Sequence, residues 1–152
     1  MIEAGGIVEK GFIRETKKCK EVNEKVLFKI LKENSKSEIG KRFNFADIKF
    51  IDDFKRQVPL TEYKFYEEYI SRMANGEKNI LTSEEIEYFG HTSGTTGKQK
   101  LIPATKSSRR IASKYMAFLT NRFSYENFKD NWNYGKGLII ADIVMTTYTK
   151  GG

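Results

Sequence analysis

The sequence predicts an α/β fold, with helices first and then strand, loop, strand, helix and strand. Three observations carry that expectation. Apolar residues recur at helical spacing in two segments before residue 75 and in a third after residue 105. Two short β-like runs flank a loop rich in glycine, serine and threonine at residues 92–100. The run "GLIIADIVM" at 137–145 has the continuous apolar character of a buried strand.

Taken in order, the first helix is expected over roughly residues 16–34, where Val22, Val26, Leu27, Ile30 and Leu31 share one face. Asn34, Ser35 and Ser37 loosen it, and "SEIGKRFNFADIKFIDDF" then reads as a loop with short structured pieces. Pro59-Leu60-Thr61 announces a second helix, with Thr61 as the expected N-cap and Glu62 in the first turn. Tyr66, Tyr69, Ile70 and Met73 follow at helical spacing and read as core. Asn75-Gly76 supplies the stop, because both residues tolerate a left-handed backbone. "EIEYFGHT", residues 85–92, reads as a strand, and residues 100–102 as a second strand closed by Pro103. Thr105 or Ser107 then caps a third helix running to about Arg122, with Ile111, Tyr115, Phe118 and Leu119 on one face.

Composition narrows the class. A chain of 152 residues has the length of one domain, and 11 Phe with 8 Tyr argue against disorder. A single cysteine, Cys19, excludes an intrachain disulfide framework and suits a reducing cytoplasm, the expected location. Its lysine neighbours have no partnering His or Asp motif, so it reads as a helix-surface thiol. The N-terminal residues lack the apolar core of a signal peptide, and the run at 137–145 is too short to span a bilayer. Residues 91–152 carry 10 basic and 3 acidic groups, so the chain's whole surplus of +7 begins at the loop. Such a segment attracts polyanions without saying which.

The loop is "HTSGTTGKQKLIP". Glycines let successive backbone N–H groups converge on an anion, hydroxyls add neutral donors, and lysine adds a mobile charge. Thr92, Ser93, Thr95 and Thr96, interleaved with Gly94 and Gly97 and followed by Lys98 and Lys100, meet each requirement. On composition alone a polar turn and a phosphate loop stand level. A Walker A loop is excluded, because the position five before Gly97 is Thr92 and the residue after Lys98 is Gln99. A dinucleotide G-x-G-x-x-G fingerprint is also absent.

"TSGTTGKQK" resembles the Ser/Thr-Ser/Thr-Gly-Ser/Thr-Thr-Gly-x-x-Lys phosphate loop of the acyl-adenylate-forming superfamily. Proline usually precedes that lysine, and Gln99 stands there instead, as in the auxin-responsive acyl-acid amido synthetases and their bacterial relatives. "FKRQVPLTEYKFYEEYISRMANGEKNILT" and "SEIGKRFNFADIKFIDDF" are similar to that branch in order and spacing, so the resemblance spans roughly residues 22–122. It implies a ligase that uses ATP and Mg2+ to activate a carboxylic acid as an acyl-adenylate and passes the acyl group to an amine. It further implies that Thr92, Ser93, Gly94, Thr95, Thr96 and Gly97 wrap the β- and γ-phosphates and that Lys100 is the catalytic cation. Lys98 has no counterpart in the motif, and no metal ligand is assigned. Family members are several times longer, so residues 1–152 are expected to be a single incomplete domain, the N-terminal part of the large adenylate-forming domain, inactive in isolation.

Other residues read more plainly. His91 borders the loop and is expected to make a local structural hydrogen bond, since a lone histidine gives no zinc spacing. Glu84, Glu85 and Glu87 have the look of acid–base carboxylates but stand in a charge cluster of the kind that is usually solvated. The rival class is a basic nucleic-acid-binding module, suggested by Phe118, Phe123, Tyr125, Phe128, Trp132 and Tyr134 within the basic third. Helical spacing turns many of those aromatics inward, and no nucleic-acid signature accompanies them. A fragment with no activity is the third alternative.

Overall fold

The computed structural model describes residues 2–92, 99–128 and 148–150. Among them are six α-helices and one two-stranded antiparallel sheet: α1 (Ile2–Thr16), α2 (Cys19–Asn34), α3 (Glu38–Arg42), α4 (Ile51–Gln57), α5 (Tyr63–Ala74), β1 (Ile86–His91), β2 (Leu101–Thr105) and α6 (Lys106–Phe128). The order helices, strand, strand, helix is the one expected. The strand foreseen at 137–145 lies outside the described residues. None of the described helices is long and apolar enough to cross a membrane.

The chain divides into two compact units, one of α1 with most of α6 and the other of the remaining elements. In the first, Gly5 permits a close approach of two helices, because a Cβ there would stand 2.9 Å from the Phe118 carbonyl oxygen. Phe12 meets Tyr115 edge-on at 6.0 Å between ring centres, and Glu9 pairs with Arg122 at 3.3 Å. Helix α1 precedes the helical start expected near residue 16. Gly5, Gly6 and Gly11 weaken its local helical signal, and tertiary packing at Gly5 outweighs propensity.

The second unit holds the larger core. Ile39, Tyr69, Met73 and Ile80 are buried together, with Phe43, Phe45, Phe65, Tyr66, Leu81, Ile86 and Phe89 packed around them. Helix α5 supplies Tyr69, Ile70 and Met73, the three buried residues on its expected apolar face. The "loop with short pieces" consists of α3, a 3-10 turn at Phe45–Asp47 and α4. Ser37, fully buried, caps α3: its hydroxyl donates to Asn34 O at 2.7 Å and accepts from Gly40 N at 3.1 Å. Arg42 lies 4.7 Å from the centre of the Phe65 ring, closing one side of this core.

Three boundaries differ from expectation. Glu62, and not Thr61, is the N-cap of α5, and the Thr61 hydroxyl instead donates to Tyr66 Oη at 2.7 Å. Strand β2 runs through Pro103 to Thr105. Pro103 faces Phe89 in the ladder. The Thr92–Lys100 step is hydrogen-bonded, so alternation puts Pro103 in a pair that asks for no N–H. Helix α6 begins where expected but continues to Phe128. Thr105 caps it reciprocally, Thr105 N donating to Ser108 Oγ at 3.0 Å and Ser108 N to Thr105 Oγ1 at 3.2 Å.

Candidate functional site

The candidate site is the connection between β1 and β2. The ladder runs from Ile86 opposite Thr105 to His91 opposite Leu101, with a bulge between Ile86 and Tyr88. Beyond it Thr92 and Lys100 close the neck: Thr92 N donates to Lys100 O at 3.0 Å, and Lys100 N donates to Thr92 Oγ1 at 3.1 Å. Thr92 thus commits its backbone N–H to the neck, and its hydroxyl oxygen accepts there. Ser93, Gly94, Thr95, Thr96 and Gly97, with Lys98, lie outside the described residues. The neck nonetheless brings together the first and last residues of the motif, eight positions apart in sequence.

Lys100 is exposed, and its Nζ stands 5.1 Å from the centre of the Tyr63 ring, within the range of a cation–π contact. Tyr63 is the first residue of α5 and half-buried. Its hydroxyl accepts from Leu101 N at 2.9 Å and donates to Leu101 O at 3.1 Å. Tyr63 is the site neighbour that sequence reasoning missed. Its only local signal is an aromatic at a helix start, and nothing in the sequence links it to residue 101, 38 positions on.

The remaining candidates sort by their partners. His91 is exposed at the end of β1, opposite Leu101. Glu85 pairs with Lys78 at 2.6 Å, which holds its carboxyl below the usual range. Glu84 accepts from the Ser107 hydroxyl, which lowers its pKa as well. Both shifts run away from neutrality, the wrong direction for a general acid. Cys19 is exposed at the first residue of α2. Of the rival's aromatics, Phe118 and Tyr125 are half-buried, while Phe123 and Phe128 are 64% and 57% exposed. Trp132 and Tyr134 lie outside the described residues. No group of three or more metal-ligating side chains occurs among the described residues.

A helical frame that carries a hydroxyl- and glycine-rich connection at the end of a short antiparallel hairpin defines the class. The chain belongs to the GH3 family: the family model described as the GH3 family N-terminal domain matches residues 8–152. It is 32% identical over 147 residues to indole-3-acetic acid-amido synthetase GH3.4 of Arabidopsis thaliana, covering 93% of this chain and 24% of the relative. To jasmonoyl--L-amino acid synthetase GH3.3 of Oryza sativa subsp. japonica it is 31% identical over 155 residues, covering 98% of this chain and 32% of the relative. Among solved structures it is similar to AtGH3.15 acyl acid amido synthetase in complex with 2,4-DB, with a TM-score of 0.74 and 31% identity over 88% of this chain and 23% of that one. The fold is therefore that of the N-terminal portion of an acyl acid amido synthetase. The chain spans about a quarter to a third of the length of these relatives.

Proposed function

We propose that this chain is the phosphate-binding N-terminal portion of an ATP-dependent acyl-acid amido synthetase. The observation that carries the reading is the Thr92–Lys100 neck, which joins both ends of the motif and leaves an exposed ammonium beside the loop. The described donor set fits a polyphosphate: a lysine charge free to meet solvent, next to a hydroxyl- and glycine-rich segment in the most basic third of the chain. Thr92, Ser93, Gly94, Thr95, Thr96 and Gly97 would hold the β- and γ-phosphates of the ATP substrate. Lys100 would offset negative charge as pyrophosphate separates from the α-phosphorus, which the substrate carboxylate attacks. Thr92 would take part through its hydroxyl proton, since its backbone N–H already donates to Lys100 O and its hydroxyl oxygen only accepts from Lys100 N. Magnesium would accompany the triphosphate, with no residue of this chain assigned to it. The acceptor would be an amine, and the similarity to a jasmonoyl--L-amino acid synthetase makes an amino acid the first candidate.

The test is carboxylate-dependent exchange of labelled pyrophosphate into ATP by a family-length protein carrying this segment. Exchange that Gly94→Ala abolishes supports the reading; exchange indifferent to Gly94→Ala refutes it. The 152-residue chain alone should show none, because most of the relatives' length is absent from it.

A further inference from the structure

Tyr63 spends both capacities of its hydroxyl on one residue of another element. The single proton goes to Leu101 O and the lone pair takes Leu101 N–H, at 3.1 and 2.9 Å. The hydrogen-bonded step at Thr92–Lys100 means that Leu101, one position on, turns its N–H and C=O away from β1. Among the described residues, no strand lies beside that outer edge of the two-stranded sheet. The phenol of Tyr63 stands where a third strand's backbone would, and it fixes β2 at its first residue.

The same side chain has a second use. Lys100 immediately precedes Leu101, and its ammonium lies 5.1 Å from the centre of the Tyr63 ring. A lysine on an exposed hairpin neck has a flexible four-carbon stem and samples many rotamers. An aromatic face within about 6 Å favours the rotamers that keep the charge near it. One tyrosine thus restrains the backbone at Leu101 and the charge at Lys100.

We propose that Tyr63 is the positioning residue for Lys100: its hydroxyl sets the start of β2 and its ring holds the ammonium at the neck of the loop. The ligand served by that placement, a polyphosphate chain, rests on the function proposed above. The restraint on Lys100 stands on geometry alone. Tyr63 is not a catalytic residue, because it acts through Lys100 and Leu101.

The test uses the 152-residue chain, labelled with 13C at lysine and with 15N. In the wild type the Lys100 ε-methylene signal, assigned by its loss in Lys100→Ala, should lie upfield of the other lysines through the ring current of Tyr63. The Leu101 amide should be protected from hydrogen exchange. Tyr63→Phe keeps the ring and loses the anchor, so Leu101 exchange should quicken by about fivefold, the worth of one ordinary hydrogen bond. Its Lys100 signal should move partway toward the free position. Tyr63→Leu should bring that signal to the free position and weaken inorganic tripolyphosphate binding at fixed salt by roughly two- to fivefold, the scale of an exposed cation–π contact. A wild-type Lys100 signal at the free position overturns the proposal. So does a Tyr63→Phe chain with unchanged Leu101 protection and an unchanged Lys100 signal, a result that does not depend on Tyr63→Leu folding. If Lys100→Ala binds tripolyphosphate as well as the wild type while the signals behave as expected, the positioning role stands and the phosphate reading falls.

Discussion

Arg72 grips Glu38 through two parallel bonds, Nη1 to Oε1 at 2.9 Å and Nη2 to Oε2 at 2.7 Å, and so ties α5 to the first turn of α3. The same guanidinium reaches Glu77 just past the end of α5, Nε to Oε2 at 2.9 Å. This fork-to-fork pairing suits arginine's rigid geometry and would not survive a change to lysine. It locks the short helix that carries Ile39 against the helix that carries Met73, two residues of the same buried cluster.

This pair predicts an acid-sensitive fold. The hydrogen bonds from Arg72 hold the Glu38 carboxyl below its ordinary range. A carboxylate with a depressed folded pKa contributes stability that is complete above its unfolded value, about 4.3, and is lost as pH falls through the lower folded value. Glu38→Gln should therefore lower Tm at pH 7, with the gap to the wild type narrowing below about pH 4. Thermal unfolding followed by circular dichroism across that range checks it, and a gap that stays constant with pH would remove Glu38 from the account.

Gly40 predicts a strong steric effect. A Cβ at this position would stand 2.0 Å from the Asn34 carbonyl oxygen, a backbone atom already engaged by the Ser37 hydroxyl. The clash cannot be relieved by a rotamer change, so Gly40→Ala should cost about 3 kcal/mol, the upper part of the range for forcing atoms into a packed site. The urea midpoint, compared with that of Gly11→Ala, is the measurement. Gly11 has open space where its Cβ would go, and there the substitution should be neutral or stabilising.

The start of α6 predicts a smaller, local effect. Thr105 and Ser108 cap each other reciprocally, so Thr105→Ala removes the bond to Ser108 N and leaves Thr105 N–H with its partner. The expected loss is about 1 kcal/mol, typical of an N-cap. It should appear as a lower urea midpoint with an unchanged slope. Ser107→Ala, which removes only an exposed contact with Glu84, should cost less.

Two lysines near the loop predict unequal kinetics in a family-length protein carrying this segment. Lys100→Ala should lower the adenylation rate by roughly a hundredfold, about 3 kcal/mol for one preorganised electrostatic contact, while weakening ATP binding less. Lys98→Ala should cost far less, because its position has no counterpart in the motif. Rates at saturating ATP and magnesium decide between them. Equal and small losses would withdraw the role given to Lys100.

Much of this architecture is legible in local chemistry. The apolar period of α5, the strand-like runs on either side of the loop, and the Thr105 cap all depend on residues within a few positions of one another. So does the motif at 92–100, whose glycines, hydroxyls and lysine state their chemistry in order. Asn75 ends α5 where the sequence places the stop, and Gly76 follows with a φ of 97°. Local periodicity and capping need no partner from elsewhere in the chain, so the order of α5, β1, β2 and α6 follows from them even where single boundaries do not.

What only the tertiary structure decided involves partners far apart in sequence. Pro103 looks like a strand end, but its ladder position demands no N–H. Gly5 looks like a helix breaker, but it sits where a Cβ would strike the backbone of α6. Tyr63 reads as one more aromatic until β2 lies beside it and Lys100 reaches over its ring. The sequence states which chemistry is available at the loop. The packing of α5 against β2 decides where its lysine is held, because a contact across 37 residues has no local period to betray it.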